Sequence, residues 1–232
     1  MTQASQETKV ADWSKLTKDL VNVDGFDSFW DFSKKRKGWS GVVTFARRGT
    51  TIRAQEGFAN FDDEGMQSSQ IDSKIGRCIM TDHGSFVLFN VYFPNAGRGD
   101  DRLEYKLNFY EAFQFECKKL LDQGRHVIVT GDVNTAHKEI DIWNPEGFKD
   151  ATGFLPQERA WIDRFLADGY VDAYREFYPD KKGAYTFWDM RTMKRPSNDG
   201  WRIDYFLVSK QLRDRLQNCE ILPDVCEASG SI

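Results

Sequence analysis

Long apolar runs are missing from this chain of 232 residues; none approaches the roughly 20 residues that a membrane-spanning helix needs. The first nine residues, Met-Thr-Gln-Ala-Ser-Gln-Glu-Thr-Lys, hold no apolar stretch of the kind a secretory signal requires. Cysteine is scarce. Cys78, Cys117, Cys219 and Cys226 form no Cys-x-x-Cys pair, which argues against a disulfide framework or zinc site and for reduced thiols in an intracellular protein. Histidine is scarcer still, at three residues. His137-Lys138-Glu139-Ile140-Asp141 sets His, Glu and Asp at alternate positions, but no second His or Cys cluster supports a metal there, and a turn or helix start is the better reading. Positive charge is not in excess: 32 Lys+Arg against 36 Asp+Glu give a net charge of −4. That speaks against bulk nucleic-acid binding but leaves a local basic face open, because screening limits electrostatic reach to about 10 Å. No repeat, low-complexity tract or linker divides the chain, so residues 1–232 read as a single domain.

Aromatic residues are plentiful, with 18 Phe, 8 Tyr and 7 Trp, and this excludes a disordered chain. Phe26 to Phe32 reads as a strand, Lys34-Lys35-Arg36-Lys37-Gly38 as a basic turn, and Trp39 to Ala46 as the returning strand. Ile75 to Thr81, Asp82-His83-Gly84 and Ser85 to Phe93 read as a second hairpin, whose nearly all-apolar second arm predicts cover on both faces. Leu103, Leu107, Tyr110, Phe113, Cys117, Leu120 and Leu121 fall at helical spacing, and Gly124 ends that helix. His126 to Thr130 is a short buried strand, and Pro156 to Ala167 a helix whose preceding Leu155 is a poor N-cap. Tyr185 to Trp188 and Arg202 to Ser209 are further strands. Hairpins mixed with strand–helix–strand units predict an α/β fold: a two-layer β-sandwich flanked by helices, with at least partly antiparallel sheets.

Four segments carry residues able to do chemistry. Val127-Ile128-Val129-Thr130-Gly131-Asp132-Val133-Asn134 is a strand that ends in Gly and then presents Asp132 and Asn134; in extended chain they leave on one face, or else they form an ordinary turn. Tyr92-Phe93-Pro94-Asn95-Ala96-Gly97-Arg98 offers a phenol, an amide and a guanidinium fork to a phosphate, or is a core Tyr followed by a turn. Asp204, inside the apolar strand Trp201–Ser209, needs a partner if buried, either a His that it orients or an Arg. Glu7 is a hard oxygen ligand of the kind Mg²⁺ accepts, set in a segment that would otherwise fray.

Taken in order, Gln6-Glu7-Thr8-Lys9, Trp39-Ser40-Gly41-Val42-Val43-Thr44-Phe45, Tyr92 to Arg98, Gly131-Asp132-Val133-Asn134-Thr135-Ala136-His137, Pro156-Gln157-Glu158-Arg159, Tyr185-Thr186-Phe187-Trp188 and Gly200-Trp201-Arg202-Ile203-Asp204-Tyr205 resemble the exonuclease III family of AP endonucleases, within the endonuclease/exonuclease/phosphatase superfamily. The Ser-Gly-Val-Val-Thr-Phe segment leans toward the second eukaryotic type. The resemblance implies an Mg²⁺-dependent enzyme (Mn²⁺ as an alternative) that incises double-stranded DNA 5′ of abasic sites and trims 3′ ends. It would work as a monomer, away from membranes, in the nucleus. Glu7 would bind the metal, Asp132 would position or deprotonate water, and Asn134 would hydrogen-bond the phosphate. Tyr92 would sit beside the phosphate and the leaving oxygen. Asn95 and Arg98 would contact the DNA backbone, Phe187 and Trp201 would wall the pocket for a base-less sugar, and Asp204 would orient a His.

The sequence departs from that pattern at both ends. The family begins with a strand ending in Asn-x-Asn-Gly and closes with Gly-Ser-Asp-His-Cys-Pro and a last strand; here five residues precede Gln6, and the chain stops after Gly230-Ser231-Ile232. None of His83, His126 and His137 substitutes for the missing His. An incomplete domain without its first and last strands, with impaired activity and exposed sheet edges, is therefore expected. The alternatives are a non-catalytic DNA-binding remnant that holds DNA through Arg98, Lys34–Lys37 and Arg47-Arg48, or a phosphatase of the same superfamily acting on phosphoinositides or small phosphoesters.

Overall fold

In chain order the strands are β1 (Thr2–Gln6), β2 (Phe26–Asp31), β3 (Val42–Arg47), β4 (Arg53–Glu56), β5 (Cys78–Asp82), β6 (Val87–Tyr92), β7 (Val127–Asp132), β8 (Tyr170–Asp172), β9 (Phe187–Trp188), β10 (Gly200–Trp201) and β11 (Asp204–Ser209). The α-helices are α1 (Lys18–Val21), α2 (Asp100–Asp122), α3 (Pro145–Phe148), α4 (Pro156–Ala167) and α5 (Ala173–Phe177). The structure is a computed structural model that describes residues 1–58, 76–97 and 99–222. Arg98, Cys226 and Ile75, the expected start of the second hairpin, lie outside the described residues. Cys78, Cys117 and Cys219 are free thiols, and no described helix is long and apolar enough to cross a membrane.

Two larger sheets form. One has the order β1-β3-β2 and is antiparallel throughout; the other has the order β4-β5-β6-β7-β11-β8; β9 and β10 make a separate ribbon. In the six-stranded sheet β6 and β7 are parallel and every other neighbour is antiparallel. A parallel pair cannot close by a tight turn, and α2 is the crossover between them. The three-stranded sheet packs over β4 to β7, and α2 and α4 cover the opposite face. This is the mixed α/β class that the hairpins and crossover predict.

Period-2 alternation decides what each face meets. Val87, Phe89 and Val91 of β6, Val127 and Val129 of β7, and Tyr205 and Leu207 of β11 are buried in the helix-side core with Phe109, Tyr110 and Phe113 of α2 and Trp161 of α4. Tyr110 and Trp161 stack with ring centres 4.0 Å apart. The intervening residues, Leu88, Asn90 and Tyr92 in β6, Ile128, Thr130 and Asp132 in β7, and Asp204, Phe206 and Val208 in β11, therefore take the other face. Beside β1 on that face, Leu88, Ile128, Phe206 and Val208 line an apolar groove of about 400 Å³.

Asn90 locks the two sheets together. Fully buried, it donates from Nδ2 to the carbonyls of Val43 (2.8 Å) and Ser5 (3.3 Å), and its Oδ1 accepts from Gln6 Nε2 at 2.5 Å. A buried amide satisfied this fully adds specificity to an otherwise apolar contact. The Gln6–Lys9 segment is accordingly not frayed: β1 pairs with β3 from Thr2↔Ala46 to Gln6↔Val42. Elsewhere the elements match the expected ones with shifted ends. β3 starts at Val42 rather than Trp39, because Ser40 (φ 47°) and Gly41 (φ 88°) turn left-handed. The run Arg202–Ser209 is extended from Asp204 only. At α4 the poor N-cap Leu155 is replaced in function by Glu158, whose Oε2 accepts from the Leu155 and Gly153 N–H groups at 3.0 and 2.7 Å.

Asp31, at the end of β2, is 1% exposed; its Oδ2 accepts from the Cys78 N–H at 3.3 Å, and among the described residues its Oδ1 has no hydrogen-bond partner. Burial pushes its pKa up to about 7, with a smaller push from the Glu56 charge, against the Cys78 N–H. The folded state therefore holds a proton that the unfolded chain has released above about pH 4, and the stability it gives is lost as pH rises through about 7. Asp31→Asn, an isostere that keeps the acceptor, is expected to raise the melting temperature clearly at pH 8 and hardly at all below pH 4; thermal melts across that range check this.

Candidate active site

β6 and β7 are parallel neighbours and end at the same edge, where Tyr92 pairs in register with Asp132. β11 runs antiparallel to β7 and begins there, with Asp204 opposite Asp132. Tyr92, Asp132 and Asp204 thus form one row across three adjacent strands, on the face toward the smaller sheet. Glu7 follows β1 in that sheet, in a left-handed conformation (φ 52°). Its carboxylate faces the Tyr92 hydroxyl closely enough to raise the phenol's pKa, and Lys9 Nζ approaches it at 3.1 Å. Four residues from widely separated parts of the chain meet at one place, and active groups favour such strand ends.

The approach of β6 to β7 depends on Gly131. Its φ is 138°, and a Cβ there would sit 2.0 Å from the Val91 carbonyl oxygen. The strand runs through Gly131 to Asp132 instead of ending at the glycine. Asn134 then turns left-handed (φ 54°). Its N–H donates to Asp132 Oδ1 at 2.7 Å, and its Nδ2 donates to Asp132 Oδ2 (3.1 Å) and to the Phe93 carbonyl (2.9 Å). Asp132 and Asn134 do come together, but through this tight turn, which corrects the extended geometry expected for them. Asn95, exposed at the cleft, donates from Nδ2 to Asn134 Oδ1 at 3.2 Å, and its Oδ1 accepts from the Gly97 N–H at 2.7 Å.

Burial pushes the Asp132 carboxyl well up, and the Asp204 and Glu7 charges add to this against the Asn134 N–H and Lys106. Burial likewise raises Asp204, with Glu7 adding to it, against a hydrogen bond from Thr186. Burial, and then Glu7 and Asp132, hold the Tyr92 hydroxyl above its ordinary range, so it remains a phenol and a donor. Among the described residues Asp204 makes no ion pair: the buried Arg202 nearby is engaged by Asp141 and Asp172, each at 2.7 Å. His83 bonds Thr81 and Thr50, and His137 bonds Asp163. His137 to Asp141 is thus structural, with Glu139–Asp141 forming a 3₁₀ turn and Asp141 salt-bridged to Arg175 and Arg202.

The donor set fits a hard divalent cation. Glu7, Asp132, Asp204 and Tyr92 offer only oxygen, which suits Mg²⁺ or Mn²⁺, and the mutual repulsion of the acids is what such an ion relieves. Among the described residues no three acidic, His or Cys side chains cage a metal unaided. An ion held chiefly by one carboxylate, with water and substrate oxygens completing its shell, is the habit of Mg²⁺.

Two surfaces adjoin the row. Phe187 (45% exposed) pairs with Trp201 across the β9–β10 ribbon, and Trp201 packs edge-on against Phe148 at 5.1 Å, forming an aromatic wall. On the other side a cleft of about 880 Å³ runs from Glu7 and Tyr92 past Lys9, Arg77, Arg102 and Arg36, the last stacked on the exposed Trp39 at 3.4 Å. Sequence reasoning missed Lys106, Asn90 and Thr186. A lysine between Leu103 and Tyr110 on an apolar helical stripe, and an asparagine in the run Phe86–Phe93, were the available signals.

The chain belongs to the Endonuclease/Exonuclease/phosphatase family, whose sequence profile matches residues 6–225. Within it, the chain is 37% identical over 220 residues to an exodeoxyribonuclease of Bacillus subtilis, covering 95% of this chain and 81% of that protein. It is 34% identical over 259 residues to the DNA-(apurinic or apyrimidinic site) endonuclease 2 of Bos taurus, covering 95% of this chain and 49% of that one. The chain thus spans about half the length of this bovine relative. Among solved structures it superposes on the Xenopus laevis APE2 catalytic domain with a TM-score of 0.74 at 30% identity, covering 92% and 75% of the two chains. The AP endonuclease LMAP of Leishmania major gives a TM-score of 0.82 at 27% identity, covering 96% and 74%.

The Gly131 contact gives a direct test of how the row is built. Gly131→Ala is expected to lose at least about 3 kcal/mol of stability, read as the shift of the urea midpoint. An unchanged midpoint would mean that β6 and β7 are not held this close.

Proposed function

We propose that this chain is a divalent-metal-dependent phosphodiesterase that incises DNA 5′ of abasic sites and trims 3′ ends. The observation that carries this is the row Tyr92–Asp132–Asp204, with the Asn134 amide and the Glu7 carboxylate converging on it. The relatives named as exodeoxyribonuclease and AP endonuclease support it. The basic cleft beside Glu7 supports a polyanionic substrate, since cations lining a low-dielectric cleft attract one.

The roles follow from the geometry. Asp132 accepts a proton from the water that attacks phosphorus, as the bond from phosphorus to the leaving 3′-oxygen breaks. Asn134 Nδ2 gives its two hydrogens to Asp132 and the Phe93 carbonyl in the free protein, and exchanges the Asp132 bond for one to a non-bridging phosphoryl oxygen as charge grows there. The Tyr92 phenol donates a hydrogen bond at the same phosphate, and Asp204 holds the far side of Asp132 polar. A divalent ion at Glu7, when bound, supplies neutralisation of the phosphate charge and stabilisation of the leaving oxygen. Phe187 and Trp201 wall the space for a sugar without a base, whose extrusion costs little because nothing is unstacked. Asn95 acts here by aligning Asn134 rather than by gripping the backbone, and Arg98 is left the phosphate contact. The reading carries a monomer acting on double-stranded DNA, and residence in the nucleus of a eukaryotic cell.

The test is a duplex with one abasic analogue, incubated with Mg²⁺. Incision 5′ of the lesion is expected, abolished by chelator and lowered about 1,000-fold or more in kcat by Asp132→Asn with duplex affinity retained. Incision that survives chelation overturns the mechanism; binding without cleavage under Mg²⁺ and Mn²⁺ makes the chain a DNA-binding protein; preferred hydrolysis of an inositol phosphate makes it a phosphatase. Phe187→Ala with Trp201→Ala is expected to lower discrimination between abasic and intact duplex by about tenfold or more, with exonuclease trimming less affected, as gel assays on paired substrates would show.

A further inference from the structure

Three successive backbone carbonyls after β7 are each held by a buried side chain from a distant element. Tyr110 Oη donates to the Val133 carbonyl (3.2 Å), Lys106 Nζ to the Asn134 carbonyl (2.7 Å) and Tyr205 Oη to the Thr135 carbonyl (2.8 Å). Hydroxyls serve the outer two; a cation serves the middle one. Lys106 is fully buried in α2, and its ammonium also donates to Thr135 Oγ1 (2.8 Å) and Glu158 Oε1 (2.6 Å), so all three of its hydrogens are used. Burying such a pair costs desolvation that its mutual attraction offsets only with good geometry and satisfied hydrogen bonds, which Lys106 finds at Asn134 and Thr135 and Glu158 at the Gly153 and Leu155 N–H groups.

The residue it holds is the one whose backbone is left-handed: Asn134 has φ 54°, a conformation that asparagine enters more readily than other side chains and that its surroundings here fix. The Asn134 carboxamide is aimed at Asp132 by that conformation, since the N–H and Nδ2 of this one residue reach the two Asp132 oxygens together. We infer that Lys106 is a positioning residue: through the Asn134 carbonyl it holds the left-handed turn that aims the Asn134 carboxamide at the reacting phosphate. The inference rests on the DNA-cleaving reading for the phosphate, and on the turn alone for the positioning.

Lys106→Met leaves Glu158 charged and unpaired in the interior, so the double variant Lys106→Met/Glu158→Gln, which removes both charges and keeps the acceptor for the Gly153 and Leu155 N–H groups, is compared with it. Two quantities are read: kcat and KM on the abasic duplex with Mg²⁺, and the NMR resonances of the Asn134 side-chain amide in metal-free protein. In the folded double variant kcat is expected to fall about 10- to 100-fold, with KM within about twofold of wild type. The Asn134 amide resonances move toward those of a free carboxamide, and Lys106→Arg recovers part of both. A folded double variant with wild-type kcat, or with unshifted Asn134 amide resonances, overturns the inference. Should the wild type not cut DNA, the amide resonances alone decide: shifted resonances uphold Lys106 as the positioning residue while the DNA-cleaving reading falls, and unshifted ones overturn it.

Discussion

Two half-buried carboxyl groups set opposite each other across the β7–β11 ladder are the constraint around which this molecule is arranged. Asp132 and Asp204 are directly opposite in register, and Glu7 raises both from the neighbouring sheet. Like charges crowded in a low-dielectric setting resist ionisation and push apart, so the surrounding framework has to supply what the acids do not. It does so with the Asn134 N–H, the Thr186 hydroxyl and the Lys106 charge, all drawn from segments that flank the row. The strain is local, and it lies where the chemistry is expected.

Side-chain parity makes the arrangement possible. In β6, β7 and β11 one set of alternating residues is spent on the aromatic core under α2 and α4. The other set faces the smaller sheet, where Asn90 and Gln6 fix β1 at the height that brings Glu7 over Tyr92. A one-residue slip of any of these strands would exchange the two sets and bury the wrong face. The long crossover α2 lets β6 and β7 run parallel, so two loops leave from the same edge: the one after Tyr92 brings Asn95, and the one after Asp132 brings Asn134.

Much of this was legible in the residues, and what was not is instructive. The strand at Phe26–Phe32, the apolar arm ending at Phe93 and the helix spaced from Leu103 to Leu121 all stand where local patterning puts them. Asp132 and Asn134 were singled out for a strand-end geometry that the left-handed turn at Asn134 replaces. Glu7 lay in a stretch that local criteria leave frayed, and only pairing with β3, dozens of residues away, makes it a strand end. The motif assigns Asn95 to the DNA backbone; in the structure it stays exposed at the cleft while its amide is engaged by Asn134 and the Gly97 N–H. Lys106 and Asn90 escaped notice for the same reason: a polar residue on an apolar stripe has a meaning only once its distant partner is known. Local propensity is encoded in neighbours, whereas satisfaction of buried polar groups is encoded in contacts that cross the whole chain.

The row at the sheet edge has a consequence for how the molecule acquires its chemistry. Tyr92, Asp132 and Asp204 of the row and the Glu7 that converges on it lie in three strands of one sheet and just past a strand of the other, and no two of them are close in sequence. Contacts of such separation form late, after the entropy of closing long loops has been met. A half-organised chain can retain helix α2 and the hairpins and still possess nothing resembling the constellation. Catalytic turnover would consequently be a stricter gauge of native structure than circular dichroism or compactness, silent in every intermediate that those probes register as nearly folded.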